Sequence, residues 1–122
     1  MILTGNEYQL KAARTINDCM WDQEKFRHAL FGLTAENGEI NSILQKVYQR
    51  KSDEFEEVYL SEDALKHLKS ELGDLLWFAA ELCTTCGWLM DDVMEENIEK
   101  LRKRYPEKYD VEHDIHRKEG DF

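Results

Sequence analysis

Two pairs of acids stand where a helical chain should be apolar. Glu36 lies three residues after Leu33 and four before Ile40, and Glu71 lies three after Leu68 and four before Leu75. Residues three and four apart share one face of a helix, so each carboxylate falls within an apolar stripe. Glu39 and Asp74 follow by one turn, four residues ahead of Ile43 and Phe78 respectively. Burying ionised carboxylates is costly unless something compensates the charge, and no basic partner is evident nearby. A hard divalent cation would compensate it, because Mg2+ takes a few carboxylate oxygens and leaves room for water and phosphate. The competing account is a solvated acidic face, which explains one such pair readily. It explains two pairs poorly, each against an apolar stripe and each with an embedded glycine, Gly38 or Gly73. Glycine within a helix costs roughly 1 kcal/mol relative to alanine. The two glycines therefore predict that backbone or ligand comes close beside the acids.

The elements that must position these acids are helices. Thr4-Gly5-Asn6-Glu7 reads as a capping box opening a first helix toward Asn17, and Asp22 to Glu24 reads as a polar break. From Lys25 to about Arg50, Phe26, Ala29, Leu30, Leu33, Ile40, Ile43, Leu44 and Val47 recur in steps of three and four or their sums, a long amphipathic helix. The polar stretch 51–60 is ambiguous. Ser61 caps a third helix whose stripe runs through Leu65, Leu68, Leu72, Leu75, Leu76, Ala79, Leu82, Cys83 and Cys86, and Gly87 stops it. A fourth helix spans about Met90 to Arg104, with Asp91 and Asp92 at its start, basic residues at its end and Pro106 beyond. Residues 110–122 read as a poorly ordered tail, leaving one helical domain over 1–109.

The expected architecture is all-α: a four-helix bundle of two long antiparallel helices joined by a short polar segment, covered by two shorter ones. A chain of 122 residues has material for one core. So small a chain should not cover both apolar faces of the long helices, which predicts a homo-oligomer completing the bundle.

Composition narrows the function. Net charge is −10, which repels nucleic acid and argues against a duplex-binding role. Nucleotide phosphates would be repelled too, unless a cation reverses the local sign. The longest apolar run, Leu75 to Ala80, cannot span a bilayer. The opening stretch lacks the apolar core of a signal peptide, and three cysteines are an odd number. A cytoplasmic protein with reduced thiols is expected. Cys83-Thr84-Thr85-Cys86 lacks a second ligand pair for zinc and a strand before it for redox work, so packed thiols are expected.

Three blocks resemble the MazG-like all-α NTP pyrophosphohydrolases. They are Ala35-Glu36-Asn37-Gly38-Glu39, then Glu71-Leu72-Gly73-Asp74-Leu75-Leu76-Trp77-Phe78, then Asn97-Ile98-Glu99-Lys100-Leu101-Arg102-Lys103-Arg104-Tyr105-Pro106. They occur in the family's order and the resemblance covers roughly Glu7 to Tyr109. It implies a MazG-like helical bundle assembled into a homodimer or homotetramer. It implies Mg2+, with Mn2+ able to substitute, held by Glu36, Glu39, Glu71 and Asp74. It implies hydrolysis of a nucleoside triphosphate to monophosphate and pyrophosphate, with one of the four acids free to serve as base instead of ligand.

Further candidates follow from placement. Lys100 and Arg104 lie one turn apart and could reach phosphate oxygens, although cations near a helix C-terminus also suit its dipole. Asn97 shares their face and could bond sugar or phosphate. Trp77 could stack on a base but competes with a core role. Trp21 sits in a polar connection and resembles an aromatic found there in some dCTP-directed relatives. His28 and His67 are isolated, and His113 and His116 fall in the tail. A di-iron bundle would want Glu-x-x-His pairs, which neither acidic pair has. A non-catalytic helical adaptor would tolerate Glu-to-Gln changes, and a phosphoribosyl-ATP pyrophosphohydrolase would share the fold.

Overall fold

A computed structural model describes residues 2–50 and 60–116. These form five helices and no strand: α1 Gly5–Ala13, α2 Asp22–Gln49, α3 Glu62–Cys86, α4 Met90–Arg104 and α5 Val111–Ile115. No helix among the described residues is long and apolar enough to cross a membrane. The ambiguous segment lies outside the described residues over 51–59, as does the end of the expected tail over 117–122.

Thr4 caps α1 as its sequence demands, its Oγ1 accepting from the Glu7 N–H at 3.1 Å. The helix ends at Ala13 instead of reaching Asn17. Thr15 turns the chain there, its hydroxyl donating to the Ala12 carbonyl at 2.7 Å, and the Asn17 side chain accepts from the Cys19 N–H. The expected break at Asp22 to Glu24 is the first turn of α2. Glu24 reaches back to accept the Trp21 N–H at 3.0 Å, so its polarity serves the helix end and does not interrupt the chain. Ser61 caps α3 through the Ala64 N–H at 3.1 Å, and Gly87 ends it with φ 73°, the left-handed turn for which glycine is suited. Residues expected to be tail instead form α5, because the Asp110 carboxylate accepts from the Glu112 N–H.

The two long helices lie antiparallel: His28 faces Glu81, Gly32 faces Phe78, and Glu36 faces Glu71 and Asp74. The core is thin and built of small side chains, namely Ala12, Ala29, Ile43, Ala80 and Cys83. All three cysteines are unpaired, and burial pushes the Cys83 thiol above its ordinary pKa. Gly32 sets the closeness of the seam, since a Cβ there would overlap the Phe78 ring. At Gly38 and Gly73, where backbone or ligand was expected to come close, no atom of the described residues beyond the local helix lies within 4 Å of a Cβ.

The expectation that both short helices cover the long pair holds for one of them. α1 packs on α3, whereas α4 packs chiefly on α1 and buries none of its residues. Val93, Met94, Ile98 and Leu101 stay exposed on α4, as do Leu65, Leu72 and Leu76 on α3. The start of α4 is held from outside its own sequence. Leu89 has no capping side chain, and the orphan N–H groups of Met90 and Asp91 donate to Gln9 Oε1 at 2.7 Å and Asn6 Oδ1 at 2.9 Å, both on α1. Gln9 is buried for this purpose, its amide also donating to the Trp88 carbonyl at 2.8 Å.

Candidate metal centre and its cleft

Antiparallel pairing of α2 and α3 turns two local acid spacings into one cluster. Carboxylate oxygens of Glu36, Glu71 and Asp74 lie within 4.8 Å of one another. Among the described residues no lysine or arginine pairs with any of them; the one basic partner is His67, whose Nε2 lies 3.0 Å from Glu71 Oε1 one turn away on α3. Glu36 Oε2 is buried without a hydrogen-bond partner. Burial pushes the Glu36 carboxyl above the usual range, followed by a hydrogen bond to Glu71 and the charges of Asp74, Glu71 and Glu39. Glu39 is exposed and lies outside the three-acid cluster, acting on it through its charge.

An orphaned carboxylate oxygen beside two further acids is a donor set that suits a hard divalent cation. Glu36, Glu71 and Asp74 would supply oxygens on one side and leave the open side to water and phosphate. Tyr8, from α1, stands close by: its phenol lies 3.5 Å from the Gly73 carbonyl, and burial together with the Asp74 charge raises its pKa.

The cluster opens into a cleft of about 410 Å³ lined by Thr15, Glu36, Asp74, Trp77 and Phe78. Trp77 is fixed there by its indole N–H, which donates to Thr15 Oγ1 at 2.7 Å. It packs edge-on against Phe78 with centroids 5.0 Å apart. Thus the structure brings Trp77 to the acids. It does not bring Trp21, which is 79% exposed at the start of α2. Asn97, Lys100 and Arg104 lie on α4 and do not line the cleft. The Asn97 and Lys100 side chains make no hydrogen bond or ion pair among the described residues, while the Arg104 guanidinium sits 5.9 Å from the Tyr105 ring centre.

Sequence reasoning missed Thr15, Tyr8, Phe78 and the contact of His67 with Glu71. It also missed Glu81, which is 1% exposed and hydrogen-bonded to His28. The signal was the same anomaly, since Glu81 lies seven residues after Asp74 and so keeps to the seam.

The raised Glu36 carboxyl carries a stability consequence with a definite sign. A carboxyl whose pKa rises on folding binds its proton more tightly in the folded state. Its contribution is fully present below the unfolded value, about 4.3 for glutamate, and is lost as pH rises through the folded value. Melts in EDTA should therefore show the parent losing stability relative to Glu36→Gln as pH climbs above about 4.3. Parallel melting curves at every pH would show that Glu36 is not the strained acid.

A family model described as the MazG nucleotide pyrophosphohydrolase domain matches residues 28–109. The chain is also similar to the "Gene 37 protein" of Mycobacterium phage L5, at 28% identity over 102 residues, covering 80% of this chain and 84% of that protein. No solved structure matches it.

Proposed function

The chain belongs to the MazG nucleotide pyrophosphohydrolase family, and from that premise we propose that it hydrolyses a nucleoside triphosphate, (d)NTP, to (d)NMP and pyrophosphate with Mg2+, clearing unwanted nucleotides from the pool. The observation that carries this reading is the convergence of Glu36, Glu71 and Asp74 within 4.8 Å below an open cleft. These three, with Glu39 at the rim, would hold the cation, and Mn2+ would substitute. When bound, a divalent cation supplies neutralisation of phosphate charge and acidifies a coordinated water. The chain's own work is positioning, which dominates phosphoryl transfer. Glu71 is steadied by His67, and Glu36 is held between helices that Gly32 lets pack closely. Trp77, pinned by Thr15, offers a base the wall of the cleft.

Attack of water at the α-phosphorus breaks the bond to the β-phosphate oxygen and releases pyrophosphate. A panel of NTPs and dNTPs with Mg2+ in water enriched in ¹⁸O tests this directly. Label in the nucleoside monophosphate, equimolar pyrophosphate and abolition by EDTA are expected. Nucleoside diphosphate with labelled orthophosphate would place attack at the wrong phosphorus and overturn the assignment.

The reading includes self-association as a homodimer or homotetramer. Its support is the row of exposed Val93, Met94, Ile98 and Leu101 on α4, with Leu65, Leu72 and Leu76 exposed on α3. Packing α4 against a second copy would cover these residues. Asn97, Lys100 and Arg104, which in the single chain lie away from the cleft, would reach substrate phosphate or sugar in that assembly. Trp21 would then serve as a base contact only at such an interface.

A further inference from the structure

Among the described residues, Glu71 is the one clustered acid with a basic side chain for a partner. His67 Nε2 lies 3.0 Å from Glu71 Oε1, one turn back along α3. An exposed pair at this spacing is ordinarily worth little. Here only the histidine side is open to solvent: the His67 side chain is 55% exposed and that of Glu71 16%. The Glu71 carboxyl also reaches Glu36 across the seam. The hydrogen bond from His67 therefore ends on a mostly buried carboxyl that faces the other acids.

The imidazole stands outside the ligand set. The mutually close oxygens belong to Glu36, Glu71 and Asp74, and His67 is not among that group. It meets one ligand and not the cluster as a whole. A carboxylate that holds a cation is ionised and can only accept. The hydrogen in the contact is then carried by Nε2, and His67 donates to Glu71. An imidazole can donate without carrying a charge, whereas a lysine or arginine would set a second cation against the first. Lys66 and Lys69 flank His67 in the chain. Residues one and two apart do not share a helix face, and neither lysine pairs with the acids.

The acids differ in how much such help matters. A glutamate has one more rotatable bond than an aspartate, and freezing that bond on binding costs entropy. A hydrogen bond already made before the ion arrives removes that cost from the binding step. Hydrogen bonds to ligating carboxylates are for this reason a regular part of metal sites.

We propose that His67 is a positioning residue of the metal centre: it donates from Nε2 to Glu71 Oε1, fixes that carboxylate before a cation arrives, and so sets the affinity for the divalent ion. This rests on the metal centre of the proposed reaction. Its test is binding of the ion alone, so that it stands or falls apart from turnover.

The experiment measures Mn2+ binding to the full chain without nucleotide, from the electron paramagnetic resonance signal of the free aquo ion, beside metal-free melts. His67→Phe keeps a ring and removes the donor. It should bind Mn2+ about tenfold more weakly than the parent, the lower end of what such outer partners contribute. Without metal it should melt within about 3 °C of the parent, the scale of one exposed pair on a helix. His67→Gln places an amide N–H where Nε2 stood and should restore the affinity to within about threefold of the parent. Equal affinities in the parent and His67→Phe, or equal losses in His67→Phe and His67→Gln, would overturn the inference. So would a loss of affinity accompanied by a larger fall in metal-free melting, which would make His67 a support of the fold. A parent that binds no Mn2+ would remove the metal centre and this role with it. Rescue by His67→Gln in a chain that turns over no triphosphate would remove the proposed reaction and leave His67 in its role.

Discussion

Glu36→Gln, Glu71→Gln and Asp74→Asn should each lower kcat by about 10²-fold or more, because metal positioning carries most of the catalysis in phosphoryl transfer. The same substitutions should not weaken the metal-free fold. Three acids with oxygens within 4.8 Å repel one another, and Glu36 keeps one oxygen buried without a partner. Replacing any one by its amide removes repulsion and nearly preserves shape. In EDTA each variant should therefore melt no lower than the parent. Saturating Mg2+ should stabilise the parent by mass action, about 2.7 kcal/mol at a hundredfold excess over Kd, and the variants by less. A structural ion-pair network would behave oppositely, since removing one partner strands the other. Variants that unfold several degrees earlier in EDTA and keep full activity would make these acids structural and end the enzyme assignment.

The second large effect is expected at Gly32, a position with no chemistry of its own. A Cβ there would overlap the Phe78 ring, and that ring has little room to retreat between Trp77 and His28. Gly32→Ala should cost about 1–3 kcal/mol as overpacking despite the better helix propensity of alanine. That corresponds to several degrees in Tm for a domain of this size. Gly38→Ala and Gly73→Ala, where no atom of the described residues beyond the local helix lies within 4 Å of the added Cβ, should instead hold or raise stability, by up to about 1 kcal/mol each. Because α2 and α3 carry the acids on opposite sides of the seam, Gly32→Ala should also reduce kcat, since misplacement by about 1 Å can cost 10²-fold. Calorimetry of the three variants beside a rate assay decides it. Equal melting for Gly32→Ala and Gly38→Ala would show that the seam does not depend on that close approach.

Helix existence, the order of the helices and the acids standing within apolar stripes were legible in the sequence because they depend on local rules. Caps at Thr4 and Ser61 and the left-handed stop at Gly87 are set within one turn of chain. The anomaly of Glu36 and Glu71 inside apolar stripes needs only the helical period to be seen, and the antiparallel pairing that joins them follows from a short connection. What local rules could not supply lay in contacts between distant segments. Leu89 looks like a poor cap because the capping groups, Gln9 and Asn6, come from α1. The stop of α1 at Ala13 depends on Thr15, whose hydroxyl also anchors Trp77 from α3.

The glycines show the same division. Their presence beside the acids was visible, but which glycine permits close packing depends on what stands opposite. Only the pairing of α2 with α3 puts Phe78 against Gly32 and leaves Gly38 and Gly73 open. Likewise His28 and Glu81 are fifty-three residues apart in the chain and are joined only by that seam. The sequence by itself determined the helices and the charge they carry, because both are properties of residues three and four apart. The tertiary structure alone decided which of those charges meet, which aromatics wall the cleft, and that α4 leaves its apolar face uncovered in the single chain, because each requires the relative placement of elements that no local periodicity encodes.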